Sequence, residues 1–463
     1  MTAQLVALAI FVGVFALAAV RNVNIGIAMF PFAAAVGLGL ADLALEDVVG
    51  GFPLSILVLL VGVTYFFGIA HSNGTIEWLI DAAISRVAGR DGLYPLVFFL
   101  LTAVISAMGA PLGGLVMAPV GMTVARRRGI DPMLMALAMG TGLSAGAFAP
   151  TSLFGIITWG TADSAGIELN PMLLMAIAVV VNIALLAVAY ALFGRRRSVV
   201  ADEPGADGVG GSGGDRGSAG PSGGSGEERA IGGYGQSSLQ LATQSRTVET
   251  AVTDAVVPRP SRVQVLTLVC MAALVGSVMV IALTGGEPDI GVLGFAFAAF
   301  LAVVDPAAGK SAMTRIDWGS VLLVGGIITY VGVLTEMGVL DMLGEGAADL
   351  GNPLVAAFLL CVVAGLISAF ASTTGMLAAL VPLSLPLIGE GGLPGWALIC
   401  AIGVCASIVD VSPFSTVGAT YVASAEADDR ARMTTLLTRW GLSMVLVGPI
   451  LFTLVLLLPG KVL

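Results

Sequence analysis

Long apolar runs recur from one end of the chain to the other, separated by short polar turns. Runs of about 18 residues can cross a hydrocarbon layer of about 30 Å as α-helices. The short period-2 segments of a membrane β-barrel are missing. The pattern therefore predicts an all-α polytopic membrane protein. One segment, 198–262, breaks it. This segment opens ADEPGADGVGGSGGDRGSAGPSGGSGEERA and stays polar as far as PRPSR. Gly/Ser-rich sequence of this kind buries too little apolar surface to fold. It is read as a disordered cytoplasmic linker between a first membrane repeat, 1–197, and a second, 263–463.

The two halves resemble each other. LLVGVTYFFGIAHSNGTIEWL (59–79) matches LLVGGIITYVGVLTEMGVLDML (322–343), with Gly62, Gly68, Gly74 and Leu79 falling on Gly326, Gly332, Gly338 and Leu343. ISAMGA (105–110) falls on ISAFAS (367–372). LSAGAFAPTSLFG (143–155) falls on ASIVDVSPFSTVG (406–418), placing Ser144, Pro150, Ser152 and Gly155 on Ser407, Pro413, Ser415 and Gly418. Three blocks in one order at a near-constant separation indicate an internal duplication.

Arginine and lysine set the orientation. Arg21, Arg86, Arg90, Arg126–Arg128 and Arg195–Arg197 mark cytoplasmic ends in the first half; Lys310, Arg315, Arg430, Arg432 and Arg439 do so in the second. Lys461 is the exception. The stretch 92–125 then begins and ends in the cytoplasm, with arms of about 12–15 residues, too short for two spans. It reads as a re-entrant hairpin with its tip near Ser106–Pro111. Its counterpart, 352–389, has both ends outside and its tip at Ser372–Gly375. The expected fold is an inverted repeat of about five transmembrane helices plus one re-entrant hairpin per half. Each half also carries a helix broken at a proline, over 131–162 and 394–425. Non-helical backbone at membrane depth belongs where protein buries it or where it lines a wet cavity.

These four breaks are the candidate chemistry. Half-helix N-termini direct free N–H groups and positive dipole ends at an anion. Freed carbonyls and hydroxyl oxygens suit a small hard cation such as Na⁺. The hairpin run Ser368-Ala-Phe-Ala-Ser372-Thr373-Thr374-Gly375 concentrates hydroxyls at one tip. The candidate substrate-binding set is Ser106, Gly109, Thr151, Ser152, Ser372, Thr373, Thr374, Ser415 and Thr416. The candidate coupling set, for Na⁺ or H⁺, is Ser372, Thr374, Asp410 and Ser412. Asp410 is the one carboxylate placed well inside the membrane, where acids are costly and usually functional. Its repeat partner is Ala147, so the site is asymmetric.

Composition narrows the classes. Charged residues make up 11% of the 463, against about 25% in soluble domains, which fits the membrane reading. The net charge of −10 resides largely in loops and linker, and no basic patch suggests nucleic acid. The four cysteines lie in apolar runs without metal-ligand spacing, so neither a metal site nor a cofactor is expected. The lone histidine, His71, reads as an interfacial residue. TIEWLIDAAISRVAGR (75–90) reads as an amphipathic interfacial helix. A hydrolase would need a nucleophile–base pair or an acid dyad, and neither is evident.

The stretch GGFPLSILVLLVGVTYFFGIAHSNGTIEWLIDAAISRVAGRDGLYPLVFFLLTAVISAMGAP resembles the MatC-type dicarboxylate (malonate) carriers, as does APVGMTVARRRGIDPMLMALAMGTGLSAGAFAPTSLFGIIT. The resemblance covers most of the first half. It also points to the wider superfamily that includes the divalent-anion/sodium symporters. It implies a dimer in the inner membrane, with a scaffold and a transport domain that moves as an elevator. The symporters' Ser-Asn-Thr tip motif would fall on Ser372, Thr373 and Thr374, with Thr373 in place of asparagine. The other tip motif would fall near Ala107–Ala110, beside Ser106, without its hydroxyls. The resulting expectation is a secondary active transporter of a small organic anion. The alternatives are a cation/proton antiporter, or the membrane subunit of a binding-protein-dependent carboxylate transporter. The scaffold is expected from the first two spans of each half and the last span.

Overall fold

A computed structural model describes residues 2–21, 23–85, 91–109, 117–164, 166–194, 259–283, 289–348, 352–369, 373–389 and 392–460. The linker reading falls almost wholly outside these residues, as do Ser372, Ala110 and Pro111. The described residues are helical and form no strand.

The first half contains α1 (Thr2–Arg21), α2 (Ile25–Leu40), α3 (Leu54–Ser72), α4 (Thr75–Ser85), α5 (Tyr94–Ala107), α6 (Met117–Arg127), α7 (Pro132–Ala147), α8 (Leu153–Ser164) and α9 (Pro171–Phe193). The second contains α10 (Arg262–Leu283), α11 (Ile290–Val304), α12 (Trp318–Glu336), α13 (Val339–Ala348), α14 (Pro353–Ser368), α15 (Thr373–Leu383), α16 (Gly395–Val409), α17 (Thr416–Ser424) and α18 (Ala427–Phe452). Apart from the short helices Leu45–Gly50, Pro306–Ala312, Leu385–Gly389 and Leu458–Gly460, each helix of the first half has a counterpart nine places on. Polar caps start many of them. Asp131, Asn170 and Asn352 each accept a backbone N–H of the first turn, and each is followed by proline at the first helical position. Such an Asx-Pro pair satisfies one orphan donor and removes another.

Helices α9, α12 and α18 are long and apolar enough to span a bilayer, as is the segment Leu45–Ser72 that contains α3. The helices that flank the expected hairpin tips are shorter: 14 residues in α5, 11 in α6, 16 in α14 and 11 in α15. At about 1.5 Å per residue, none reaches across about 30 Å. The breaks in the proline-interrupted helices fall at 148–152 and 410–415.

Packing sorts the helices into two groups, and each group mixes both halves. In one, α2 lies against α12 and α3 against α11. In the other, α5 lies on α7, α14 on α16, and the second hairpin arms cross over, α15 to α8 and α6 to α17. Helices α9 and α18 join this second group, on α7 and α16 respectively. The third long helix of each half, not the last span, completes the first group. The reason is glycine. Gly26 on α2 touches the backbone of Leu322 and Leu323, and Gly326 on α12 touches that of Gly26. Across the equivalent crossing, a Cβ on Gly62 would lie 2.5 Å from the carbonyl oxygen of Gly291. Close backbone approach is how helices associate where water cannot drive them together.

The second group is tied at its centre by repeat-equivalent serines. Ser144 Oγ donates to Ser407 Oγ at 2.7 Å, linking α7 to α16 across 263 residues. Asn182 on α9 donates to Ser144 at 3.1 Å. All three side chains are buried. At one end of this group, Arg432 on α18 donates a forked pair of hydrogen bonds to the Asp131 carboxylate, at 3.0 and 2.7 Å. Four cysteines are free and buried.

Two measurements follow. Gly26→Ala should lower the detergent melting temperature, by overpacking worth ~1–3 kcal/mol, whereas Gly39→Ala on the same helix, with open space around it, should not. In a double-mutant cycle, Ser144→Ala and Ser407→Ala should each cost about 1 kcal/mol or more, with the double mutant costing less than their sum.

Candidate functional site

The site is built where α15 and α17 begin. Helix α17 starts at the break 410–415 and α15 at Thr373, and the first N–H groups of a helix lack intrahelical partners. Ser415 caps α17: its Oγ accepts from Gly418 N at 3.2 Å and donates to Ser412 O at 2.8 Å and to the Asp410 carbonyl. Thr373 opens α15, with its hydroxyl 2.7 Å from Ser368 Oγ at the end of the other hairpin arm. Thr373 and Ser415 are also neighbours of the Asp410 carboxyl. Asp410 thus lies between the start of α15 and the start of α17. Ser412 lies in the same turn, against Gly441 of α18.

Tyr421, one turn into α17, is fully buried, and its hydroxyl has no hydrogen-bond partner. It stands close enough to Asp410 to feel its charge. Thr374 is half-buried beside Thr373, and Thr416 is exposed at the first position of α17. Residues 353–424 contain no lysine or arginine.

The first half builds an equivalent corner with different chemistry. Ser106 donates to Leu143 O at 2.9 Å, Thr151 to Ala107 O at 2.6 Å and Ser152 to Ser106 O at 2.6 Å. These three hydroxyls commit their hydrogens to stitching α5 to the break between α7 and α8. Gly109 takes φ +95°, which a side chain would resist, and packs against Val63 and Phe67 of α3. Ala147, where the second half has Asp410, is buried and apolar.

The structure thus brings together Ser106, Gly109, Thr151 and Ser152 in one corner, and Thr373, Asp410, Ser412 and Ser415 in the other. Ser372 lies outside the described residues. Sequence reasoning missed Tyr421, for which nothing in the linear pattern signals proximity to Asp410. It also left Ser368 out of the site, although Ser368 opens the hydroxyl run. His71 Nδ1 lies 2.7 Å from Glu77 Oε1 at the junction of α3 and α4. On α4, burial and then the Glu77 charge push the Asp81 carboxyl above its usual range.

The breaks consume their own carbonyls. Asp410 N donates to Ser407 O at 3.2 Å, Ser412 N to Val409 O at 2.9 Å and Ser415 N to Ser412 O at 3.0 Å. In the first half, Ala149 N donates to Gly146 O at 3.0 Å and Ser152 N to Ala149 O at 2.9 Å. Among the described residues, no group of three or more His, Cys, Asp or Glu could hold a metal ion.

Comparison with known proteins agrees with this architecture. The similarity to the MatC carriers is borne out over residues 1–147, which match the family model described as the N-terminus of the dicarboxylate carrier protein MatC. An uncharacterized transporter of Methanocaldococcus jannaschii is 32% identical over 124 residues, which are 26% of this chain and 28% of that protein. The match therefore spans well under half of the relative's length. Among solved structures, the YdaH transporter of Alcanivorax borkumensis, described as having an unusual topology, aligns with a TM-score of 0.52 at 14% identity, covering 88% of this chain and 86% of that one. The chain is thus a multi-pass helical membrane protein with the fold of a solved transporter, and its first 147 residues match the dicarboxylate carrier MatC N-terminus.

Proposed function

We propose that the protein is a secondary active transporter of a small organic anion, a dicarboxylate such as malonate or a C4 acid, coupled to Na⁺ or H⁺. The observation that carries this reading is that Thr373, the first residue of α15, and Ser415, the N-cap of α17, are both neighbours of Asp410. Two positive dipole ends with free N–H groups attract an anion without a basic side chain. The similarity of the first 147 residues to dicarboxylate carriers supports the choice of anion.

Alternating access would move the hairpin-bearing group against the group held by the Gly26–Gly326 and Gly62–Gly291 crossings. Five spans per half, an odd number, would invert the second half relative to the first. The forked Arg432–Asp131 pair would let the hairpin-bearing group travel as one body.

The test is uptake of radiolabelled malonate and succinate into proteoliposomes, with inward sodium and pH gradients applied separately. Gradient-driven uptake that Thr373→Ala abolishes is the expected result. Ser152→Ala should instead act mainly on stability, at about 1 kcal/mol, because its hydroxyl serves a backbone carbonyl. No uptake of either acid under any gradient would overturn the proposal.

A further inference from the structure

We infer that the structure is one of two alternating states, and that the other is reached by exchanging the contact between Gly160 and Ile56 for one between Ala423 and Ser320. The inference deepens the proposed function and rests on it for the claim that this exchange carries an anion across.

The duplication supplies the equivalence. Helix α3 begins at Leu54 and α12 at Trp318, the same separation as between Gly62 and Gly326. Helix α8 begins at Leu153 and α17 at Thr416, the same separation as between Gly155 and Gly418. Ile56 and Ser320 are therefore equivalent positions, and so are Gly160 and Ala423.

The equivalent helices are packed differently. A Cβ on Gly160 would lie 3.3 Å from Ile56 Cγ1, so α8 rests on the start of α3. From Leu153 to Ala162, α8 is buried except for the half-buried Trp159. On α17, Thr416, Ala419 and Ala423 are exposed, while Thr420, Val422 and Ser424 are half-buried. Ser320 is half-buried and Trp318, at the start of α12, is exposed. Both partners of the first contact are thus covered, and both positions of the second are open. The open face of α17 does not suit lipid. The exposed side chains of α18 include Leu442, Leu446, Val447 and Ile450, which suit acyl chains. The α17 face instead carries methyl groups and hydroxyls. Thr420 donates to Thr416 O at 2.7 Å and Ser424 to Thr420 O at 2.8 Å, and each hydroxyl oxygen keeps lone pairs for water.

The two contacts mark opposite ends of the molecule, because α3 and α12 run antiparallel. Ser72, at the end of α3, donates to Ser311 at 3.3 Å. A Cβ on Gly68 would lie 3.4 Å from Arg315 Cβ, just ahead of α12. With α8 docked on α3, the Ile56 end is closed and the end bearing Lys310 and Arg315 is open. Docking α17 on α12 would reverse this, as motion of one group of an inverted repeat against the other does. The hairpin-bearing group presents a small residue at both contacts, Gly160 and Ala423, as close helix approach in a membrane requires.

The test is oxidative cross-linking of the full-length protein in lipid vesicles, read by mass spectrometry of the joined peptides. One variant carries Ile56→Cys with Gly160→Cys, a second Ser320→Cys with Ala423→Cys, and a third all four. Each pair should form a bridge, and in the four-cysteine variant one bridge should exclude the other within a molecule. Closing the second bridge should also abolish labelling of Thr420→Cys by an impermeant thiol reagent, and either bridge should stop uptake of malonate and succinate until it is reduced. Should Gly160→Cys fail to fold, the second pair, at positions open to solvent, carries the test through the Thr420→Cys labelling. A second pair that never joins, two bridges in one molecule, or uptake that persists with a bridge closed would overturn the inference. Mutually exclusive bridges in a protein that moves neither acid would leave the two states standing and remove the proposed substrate.

Discussion

Inside hydrocarbon, every backbone N–H and C=O must find a partner within the protein. The rest of this structure follows from that constraint. Broken helices open backbone groups at depth, and at the described breaks these are met by a nearby hydroxyl or by a tight turn. Ser152 and Thr151 close one corner; Ser415 closes the other. The breaks can then exist only where these residues are packed together. This is why the hairpin-bearing helices form one compact group, pinned by Ser144 and Ser407 at its centre.

The duplication supplies two corners of similar shape, and substitution has separated their roles. In the first, the hydroxyls hold backbone to backbone, and Gly109 allows the hairpin to lie against α3. In the second, equivalent positions converge on a carboxylate. The same geometry is therefore apolar around Ala147 in one half and carries a carboxylate, Asp410, in the other. Meanwhile the glycine crossings Gly26–Gly326 and Gly62–Gly291 keep both halves symmetric in the other helix group, where only close approach is needed.

Much of this was legible in the chain. Hydropathy and the proline breaks marked α7, α8, α16 and α17, because a proline flanked by hydroxyl residues inside an apolar run interrupts the helix there. The repeat alignment already paired Ser144 with Ser407, although it could not say that the two would touch. Other features were out of reach. The assignment of α18 to the hairpin-bearing group depends on three-dimensional packing that its apolar sequence does not encode. Tyr421 reads as an ordinary apolar-run aromatic until α17 is folded back on the Asp410 turn. The engaged carbonyls at both breaks could not be anticipated either, since sequence shows which groups are freed and not which are recaptured.

The most direct test of the central claim, that the second hairpin tip lies in an alternately accessible site, is labelling of Thr374→Cys in oriented membrane vesicles with an impermeant thiol reagent. The four native cysteines are buried and should stay silent. The account predicts that the new thiol reacts from either side of the membrane and is protected by the transported anion. Reaction from one side only, unchanged by any candidate anion, would contradict it.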